Sequence, residues 1–287
     1  MQVPAFSSET RPGDAAPGKA GNAAAGKFCV FVSSSDRARD IFEIVFQNSE
    51  TMWRNCNWPR YVGFTSTHPD MYGFKAVAAT KPSDWRGEIS DQLDRLPDEI
   101  QYLFLTFEDA LFLSPVNGTE LNEIADLMVR EDLSYVSLIP VRRNLPGLIV
   151  EFFRRKLSKK PLRLLSFSEP YYSSVAAVIW KRSHLRSLLR QPGSIWDFEH
   201  TVANERHYAV WRPVVDQDQI VTRGKWDRQA RRQLARQGLS LANSTREFRT
   251  FKSHLRDIRE IIVFQAVGFL SFRIRRRMNW ISHRLNE

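Results

Sequence analysis

Two adjacent carboxylates, Glu108 and Asp109, follow an apolar run from Tyr102 to Phe107. The run has the length and composition of a buried strand. In open α/β sheets, ligands bind just beyond the carboxyl ends of the strands. Acidic side chains at that edge can hold a divalent cation, and the cation can hold a diphosphate. The pair therefore indicates a diphosphate site, and the alternative is two solvated acids in a turn.

A second pair of carboxylates, Asp197 and Glu199, alternates with aromatic residues in the segment Trp196–Glu199. In one register the acids face a cleft while the aromatic rings pack beneath them. A carboxylate held by apolar neighbours is suited to act as a general base for an attacking hydroxyl group, and aromatic rings stack on sugar faces. The alternative is a helix N-terminus with favourable acids in its first turn. The pattern does not decide between them.

A short polar loop, Ser33-Ser34-Ser35-Asp36, follows the first strand candidate. Loops in this position contact the base or ribose of a nucleotide in many α/β folds, which makes Ser33 and Ser34 candidate ligand-binding residues. For Asp36 we expect a helix cap instead, because its carboxylate can accept unpaired backbone N–H groups. The sequence has no glycine-rich dinucleotide or phosphate-loop motif, which argues against a dinucleotide oxidoreductase or a kinase.

Arg223 and Lys225 flank Gly224 and offer cations for a phosphate group. The alternative is a β-turn with solvated charges. The six histidines show no spacing typical of a metal site, and we assign none of them as a ligand.

Strand and helix candidates alternate along most of the chain, which predicts an α/β fold with a mostly parallel central sheet flanked by helices. We expect a disordered tail over residues 1–26, an α/β domain over 27–240 and a basic helical extension over 241–287. The predicted strands are Lys27–Val32, Tyr61–Thr65, Phe74–Ala79, Tyr102–Phe107, Tyr135–Ile139, Ser173–Trp180, Tyr208–Val215 and Ile220–Thr222, the last two as a pair. The predicted helices cover Ile41 to Phe46, Glu88–Leu96, Thr119–Arg130 with Thr119 as cap, Lys181–Arg190, and Asp227–Gln237 ended by Gly238.

The net charge of the chain lies at its C-terminal end. Residues 223–287 contain 16 Lys/Arg and 5 Asp/Glu, a net +11, against +10 for the whole chain. Within this region the apolar stretch Ile261–Phe272 is too short to span a bilayer but suits an interfacial helix, and four arginines follow it. We therefore expect residues 245–287 to contact an anionic membrane surface. The alternative is a non-enzymatic protein that binds a membrane or nucleic acid through this tail, although its apolar centre makes nucleic acid an unlikely partner.

Two cysteines, Cys29 and Cys56, are too few for a disulfide framework and favour a reducing compartment. The sequence shows neither a secretory signal nor an apolar segment long enough to span a bilayer. We expect a cytoplasmic protein, peripheral at the inner membrane.

Four segments together resemble a poorly characterised family of bacterial glycosyltransferase-like proteins with the GT-A-like (Rossmann-like) nucleotide-diphospho-sugar transferase fold. The segments are Leu103–Leu113, Tyr172–Lys181, Ser194–Glu199 and Val221–Trp226. The resemblance covers about Phe28 to Gly238. It implies transfer of a sugar from a nucleotide-sugar donor to a glycan or glycolipid acceptor, often in surface polysaccharide synthesis.

The resemblance also implies roles for individual residues. The donor would bind at the first strand and at Glu108-Asp109, with Asp109 near a Mn²⁺ or Mg²⁺ ion, and the acceptor would bind near Trp196–Glu199. The chain has Phe107-Glu108-Asp109 where the family pattern has Asp-x-Asp. This departure leaves the dependence on a metal open.

Overall fold

A computed structural model of the chain describes most residues between 26 and 250. The described residues are 26–80, 83–140, 161–166, 169, 172–190, 193–199, 201, 205–222, 224–227, 229–240, 244 and 246–250. The chain divides into two compact units, one ending at Asp218 and the other beginning at Gln219. Of the predicted tail over residues 1–26, residues 1–25 lie outside the described residues, as does the part of the predicted extension 241–287 beyond residue 250. The predicted domain boundaries therefore stay predictions.

The first unit is built on strands and helices that alternate along the chain. Its strands are β1 (Phe28–Ser33), β2 (Arg60–Phe64), β3 (Phe74–Ala78), β4 (Tyr102–Phe107), β5 (Ala110–Phe112), β6 (Tyr135–Ser137), β7 (Leu162–Leu164), β8 (Val178–Lys181) and β9 (Tyr208–Val210). Its helices are α1 (Arg39–Met52), α2 (Trp85–Asp94), α3 (Gly118–Arg130), α4 (Arg182–Leu189) and α5 (Ile195–Glu199). Strand β10 (Gln217–Gln219) lies at the boundary between the units.

The central sheet has the strand order β3-β2-β1-β4-β8-β6-β9-β7. Pairings β1–β2, β2–β3, β1–β4 and β6–β9 are parallel, whereas β8 is antiparallel to β4 and β6, and β7 is antiparallel to β9. The α/β fold with a mostly parallel central sheet flanked by helices is confirmed. The first four strands follow the 3-2-1-4 order of nucleotide-binding sheets, in which the order reverses between β1 and β4.

The two strands at this reversal are buried along almost their whole length. On one face of β1, the ring of Phe28 stacks against Trp58 and Tyr102 with centroids 5.0 and 4.8 Å apart. On the other face, Cys29 and Phe31 belong to a buried cluster that includes residues of α2, α4 and α5. A strand that is buried on both faces has a nearly continuous apolar sequence, and for this reason β1 and β4 could be predicted from sequence.

Arg182 fixes the C-terminal end of α2 to the first residue of α4. Its guanidinium donates hydrogen bonds of 2.6–3.1 Å to four backbone carbonyl groups. The acceptors are the carbonyl oxygens of Leu93, Leu96, Pro97 and Ile100. Leu93 lies in the last turn of α2 and the other three acceptors in the loop that follows, so one buried arginine holds both the helix end and its loop.

Predictions of one strand, one helix cap and one strand pair are wrong. The strand predicted over Ser173–Trp180 is confined to β8, because Ala177 has a positive φ of 51° and the indole N–H of Trp180 donates to the carbonyl of Ser174. Helix α3 is capped by Asn117 and not by Thr119, with the Asn117 side chain accepting from the Glu120 N–H at 3.3 Å. The strands predicted over Tyr208–Val215 and Ile220–Thr222 do not pair with each other, because β9 pairs with β6 and β7. Strand β9 is also shorter than predicted, and Pro213, shortly after it, has no N–H to donate to a partner strand.

The second unit contains a short hairpin and a helix within its described residues. Strands β11 (Val221–Thr222) and β12 (Lys225–Trp226) pair in antiparallel orientation, and α6 covers Ala230–Arg236. The helix is shorter than predicted, but the chain leaves it at Gly238 with φ 70°, as expected for a glycine that ends a helix. Among the described residues of both units, no helix is long and apolar enough to cross a membrane.

Candidate functional site

The carboxyl ends of β1 and β4 form the candidate site. In the parallel register of the two strands, Ser33 lies opposite Phe107. Ser34 and Glu108 are the next residues on each side. Glu108 and Asp109 form the turn between β4 and β5 and are partly exposed. The two segments chosen from sequence therefore lie side by side at the point where the strand order reverses, the usual ligand position in such sheets.

The acidic pair fits a divalent cation only together with a phosphate ligand. Within the described part of the chain, no group of three or more His, Cys, Asp or Glu side chains is arranged to hold a metal. Mg²⁺ is commonly held by one or two carboxylates together with water and substrate phosphates. Glu108 and Asp109 could supply the two carboxylates of such a site, and the phosphates of a bound nucleotide would supply the remaining ligands.

Ser33 and Ser34, at the end of β1, differ in their hydrogen bonds. The hydroxyl of Ser33 accepts a hydrogen bond of 3.2 Å from the indole N–H of Trp85, and Ser33 is buried. The backbone N–H of Ser34 donates to the carbonyl of Gly63 at 3.1 Å. The Ser34 hydroxyl oxygen is buried with no hydrogen-bond partner among the described residues. Unpaired buried polar groups are rare in folded proteins, and this one lies at the edge of the candidate site.

Asp36 does not cap the following helix, contrary to expectation. The cap position of that helix is Ala38, and the Asp36 carboxylate instead contacts the loop after β2. The Oδ1 atom lies 3.0 Å from Nε2 of His68 and accepts from the backbone N–H of Ser66 at 3.4 Å. Burial alone would raise the pKa of Asp36, but hydrogen bonds from Ser66 and His68 lower it.

His68 lies at the candidate site, although the sequence analysis did not select it. Its ring packs on Phe64, the last residue of β2, with centroids 4.2 Å apart. The Asp36–His68 pair thus joins the carboxyl ends of two neighbouring strands, β1 and β2. Its position shortly after a strand was the available signal, because residues that follow parallel strands meet at one edge of a sheet.

The two acids of α5 have different environments. Asp197 is exposed, and its Oδ2 atom accepts from the Oγ and the backbone N–H of Ser194 at 2.6 and 2.9 Å. The Ser194 hydroxyl in turn accepts from the Asp197 N–H at 3.2 Å, as in a capping box. Asp197 therefore acts as a first-turn helix acid, which was the alternative interpretation of this segment.

Glu199 has the properties expected of a general base. It is half-buried, and burial raises its pKa from 4.5 to about 7. Titratable groups perturbed in this way cluster at functional sites. The structure favours Glu199 over Asp197 for this role, although the assignment itself stays a prediction.

The two cations predicted to contact phosphate remain untested. Arg223 lies outside the described residues. Lys225 belongs to the second unit, where its ammonium group pairs with Glu247 at 2.6 Å. Their contact with a diphosphate stays a prediction.

Of three comparisons with known proteins, only the search of solved structures found similar proteins. A scan of family models found no match, and a search of curated proteins found none. A cytidylyltransferase from Leptospira borgpetersenii is 11% identical, with a TM-score of 0.35 over 61% of this chain and 68% of its own. A mycobacterial protein is 12% identical, with a TM-score of 0.38 over 78% of this chain and 80% of its own.

Core-mannan synthase A from Aspergillus fumigatus, in a Mn/GDP form, is 11% identical, with a TM-score of 0.30 over 60% of this chain and 63% of its own. All three TM-scores lie below 0.5. These neighbours therefore determine neither the substrate nor the reaction of this chain, and the family suggested by sequence resemblance stays a prediction.

Proposed function

We propose that the protein is a glycosyltransferase that moves a sugar from a nucleotide-diphosphate donor to a glycan or glycolipid acceptor, in surface polysaccharide synthesis. One observation carries the proposal: Ser33-Ser34 and Glu108-Asp109 flank the point between β1 and β4 where the strand order reverses. This is where α/β sheets of this order bind nucleotides.

The donor binds along the carboxyl edge of the sheet. Ser33 and Ser34 contact the nucleoside, and the buried hydroxyl of Ser34 offers it an unsatisfied hydrogen-bonding group. Glu108 and Asp109 are the residues that would hold a Mn²⁺ or Mg²⁺ ion, which would neutralise charge on the leaving diphosphate.

Glu199 acts as the base in an inverting reaction. It accepts the proton of the acceptor hydroxyl group while that oxygen attacks the anomeric carbon. The bond between this carbon and the diphosphate oxygen breaks, and nucleoside diphosphate leaves. A carboxyl with a pKa of about 7 is partly ionised at neutral pH and still basic enough to take a proton. An ordinary exposed glutamate would be fully ionised but a much weaker base.

Release of nucleoside diphosphate from activated sugars tests this assignment. Glu199→Gln should lower the turnover number at least about 100-fold, a typical contribution of general-base catalysis, and leave donor affinity within about twofold. Glu123→Gln makes the same chemical change at an exposed position of α3 and should have no effect. Unchanged turnover in Glu199→Gln would remove Glu199 as the base.

We further propose that residues 245–287 attach the enzyme to the cytoplasmic face of an anionic inner membrane. The net charge of +11 over residues 223–287 supports this proposal. Replacing Arg273, Arg275, Arg276 and Arg277 with Glu should abolish sedimentation with phosphatidylglycerol vesicles while nucleotide binding persists. Loss of nucleotide binding as well would favour the alternative of a protein that acts only through its basic tail.

A further inference from the structure

The first turn of α2 connects the end of β1 to α5. Trp85, the first residue of α2, donates its indole N–H to Ser33 at 3.2 Å. The same indole ring makes an edge contact with Phe198, with centroids 5.5 Å apart and an interplanar angle of 65°. Phe198 immediately precedes Glu199. One side chain thus contacts both the nucleotide edge of the sheet and the helix that carries the proposed base.

The neighbours of Trp85 contact the same helix from both of its ends. Before α5, the backbone N–H of Gly193 donates to Oδ2 of Asp84 at 2.7 Å. After α5, the hydroxyl oxygen of Thr201 accepts from the Arg86 guanidinium at 3.3 Å. Arg86 is 3% exposed, and its guanidinium lies 5.5 Å from the centre of the Phe198 ring.

Helix α5 depends on these contacts because it is too short to be stable alone. It has five residues, whereas isolated helices shorter than about 12 residues are marginal in water. Its buried anchor is Phe198, which is fully buried between Trp85 and Trp180. The position of Glu199, one residue later, therefore follows from the packing around Phe198.

We propose that Trp85 is a positioning residue for Glu199 and holds α5 in register with the carboxyl end of β1. This inference rests on the proposed function, in which Glu199 is the catalytic base. Trp85 does not itself touch the reacting atoms. It sets the distance between the donor edge and the base, and its contact with Phe198 holds the helix in which Glu199 is half-buried. A displacement of about 1 Å in such a supporting contact can lower turnover about 100-fold.

Trp85→Phe tests the proposal because it removes the indole N–H and shrinks the ring contact with Phe198. Titration of the protein labelled with ¹³C-glutamate gives the midpoint of Glu199, whose signal is identified by its absence in Glu199→Gln. Loosening α5 admits water to the carboxyl group, so the midpoint should fall by at least about one pH unit in Trp85→Phe. Turnover with an activated sugar should fall about tenfold or more, with KM within about threefold.

Two further variants make the result specific. Trp53→Phe makes the same chemical change in the same unit, at a buried indole that packs against Trp58, Phe104 and Phe112, and should leave the Glu199 midpoint unchanged. Ser33→Ala removes the acceptor of the indole N–H. In the nucleotide-free protein, where its proposed contact with the nucleoside has no part, it should move the midpoint in the same direction as Trp85→Phe. Ser33→Ala keeps the test valid if Trp85→Phe does not fold.

The outcomes separate this inference from the proposed function. A Glu199 midpoint that stays at its wild-type value in the folded variants would overturn the positioning role, even if the wild-type protein transfers sugar. A midpoint that moves as expected, in a protein that releases no nucleotide from any activated sugar, would support the positioning contact and contradict the proposed reaction.

Discussion

Replacing Glu199 with Gln should stabilise the protein at neutral pH while removing its activity. The buried carboxyl group has a pKa of about 7, against 4.5 for an ordinary glutamate. Between these two pH values the unfolded chain loses the proton and the folded chain retains it. The free energy of unfolding therefore falls as pH rises from 4.5 to 7 and stays low above that, and a neutral glutamine does not suffer this loss.

The size of the effect follows from the same two values. A difference of about 2.5 between them, at 1.36 kcal/mol per pKa unit, corresponds to about 3 kcal/mol. Because the carboxyl group keeps partial contact with water, we reduce this to about 2 kcal/mol. The advantage of the glutamine variant should be about 2 kcal/mol at pH 8 and less than about 1 kcal/mol at pH 5.5.

Urea unfolding followed by tryptophan fluorescence at the two pH values measures this difference. Glu123→Gln serves as the control, because an exposed helix position should change stability by less than about 0.5 kcal/mol at either pH. A Glu199→Gln variant that is no more stable than the wild type at pH 8, or whose advantage is the same at both pH values, would refute a desolvated carboxyl group at this position.

Three other predictions concern the stability of the first unit. Burial lowers the pKa of His207 to about 4, so only the unfolded chain gains a proton between pH 6.5 and 4. Acidification should therefore lower the free energy of unfolding by up to about 3 kcal/mol through His207. By urea unfolding, the loss should be smaller in His207→Phe, where His184, whose pKa burial also lowers, still contributes. Arg182→Met removes the guanidinium donor from four backbone carbonyl groups and should reduce stability by about 3 kcal/mol or more, whereas a loss below about 1 kcal/mol would contradict the role of Arg182. Asp84→Ala removes both the cap of α2 and the contact with Gly193. Urea unfolding should show a loss of about 1–2 kcal/mol in the free energy of unfolding, and the control Asp98→Ala should show little change.

The sheet and its acidic edge could be predicted from sequence because their signals are local. Strand β4 has the predicted bounds, and β1 and β2 differ from prediction by one residue at each end. Their apolar residues are continuous because helices cover both faces of the central sheet. The position of Glu108 and Asp109 followed directly, since they are the two residues that come after β4.

The contacts that connect the site could not be predicted because they join distant parts of the chain. Asp36 pairs with a histidine 32 residues later, and Trp85 donates to a serine 52 residues earlier. Sequence patterns also left Asp197 and Glu199 equal as candidates. What distinguishes them is burial, which depends on how Phe198 packs in the folded protein.

Nucleotide binding at the edge between β1 and β4 is the central claim, and thermal unfolding tests it most directly. The full chain would be unfolded with UDP, GDP, CDP and ADP, each with and without Mn²⁺. At about 100 times its dissociation constant, a bound nucleotide adds about 2.7 kcal/mol to the free energy of unfolding. We predict such stabilisation with one of these nucleotides and its loss in Asp109→Asn. Stabilisation by none of them, or stabilisation that persists in Asp109→Asn, would contradict the site proposed here.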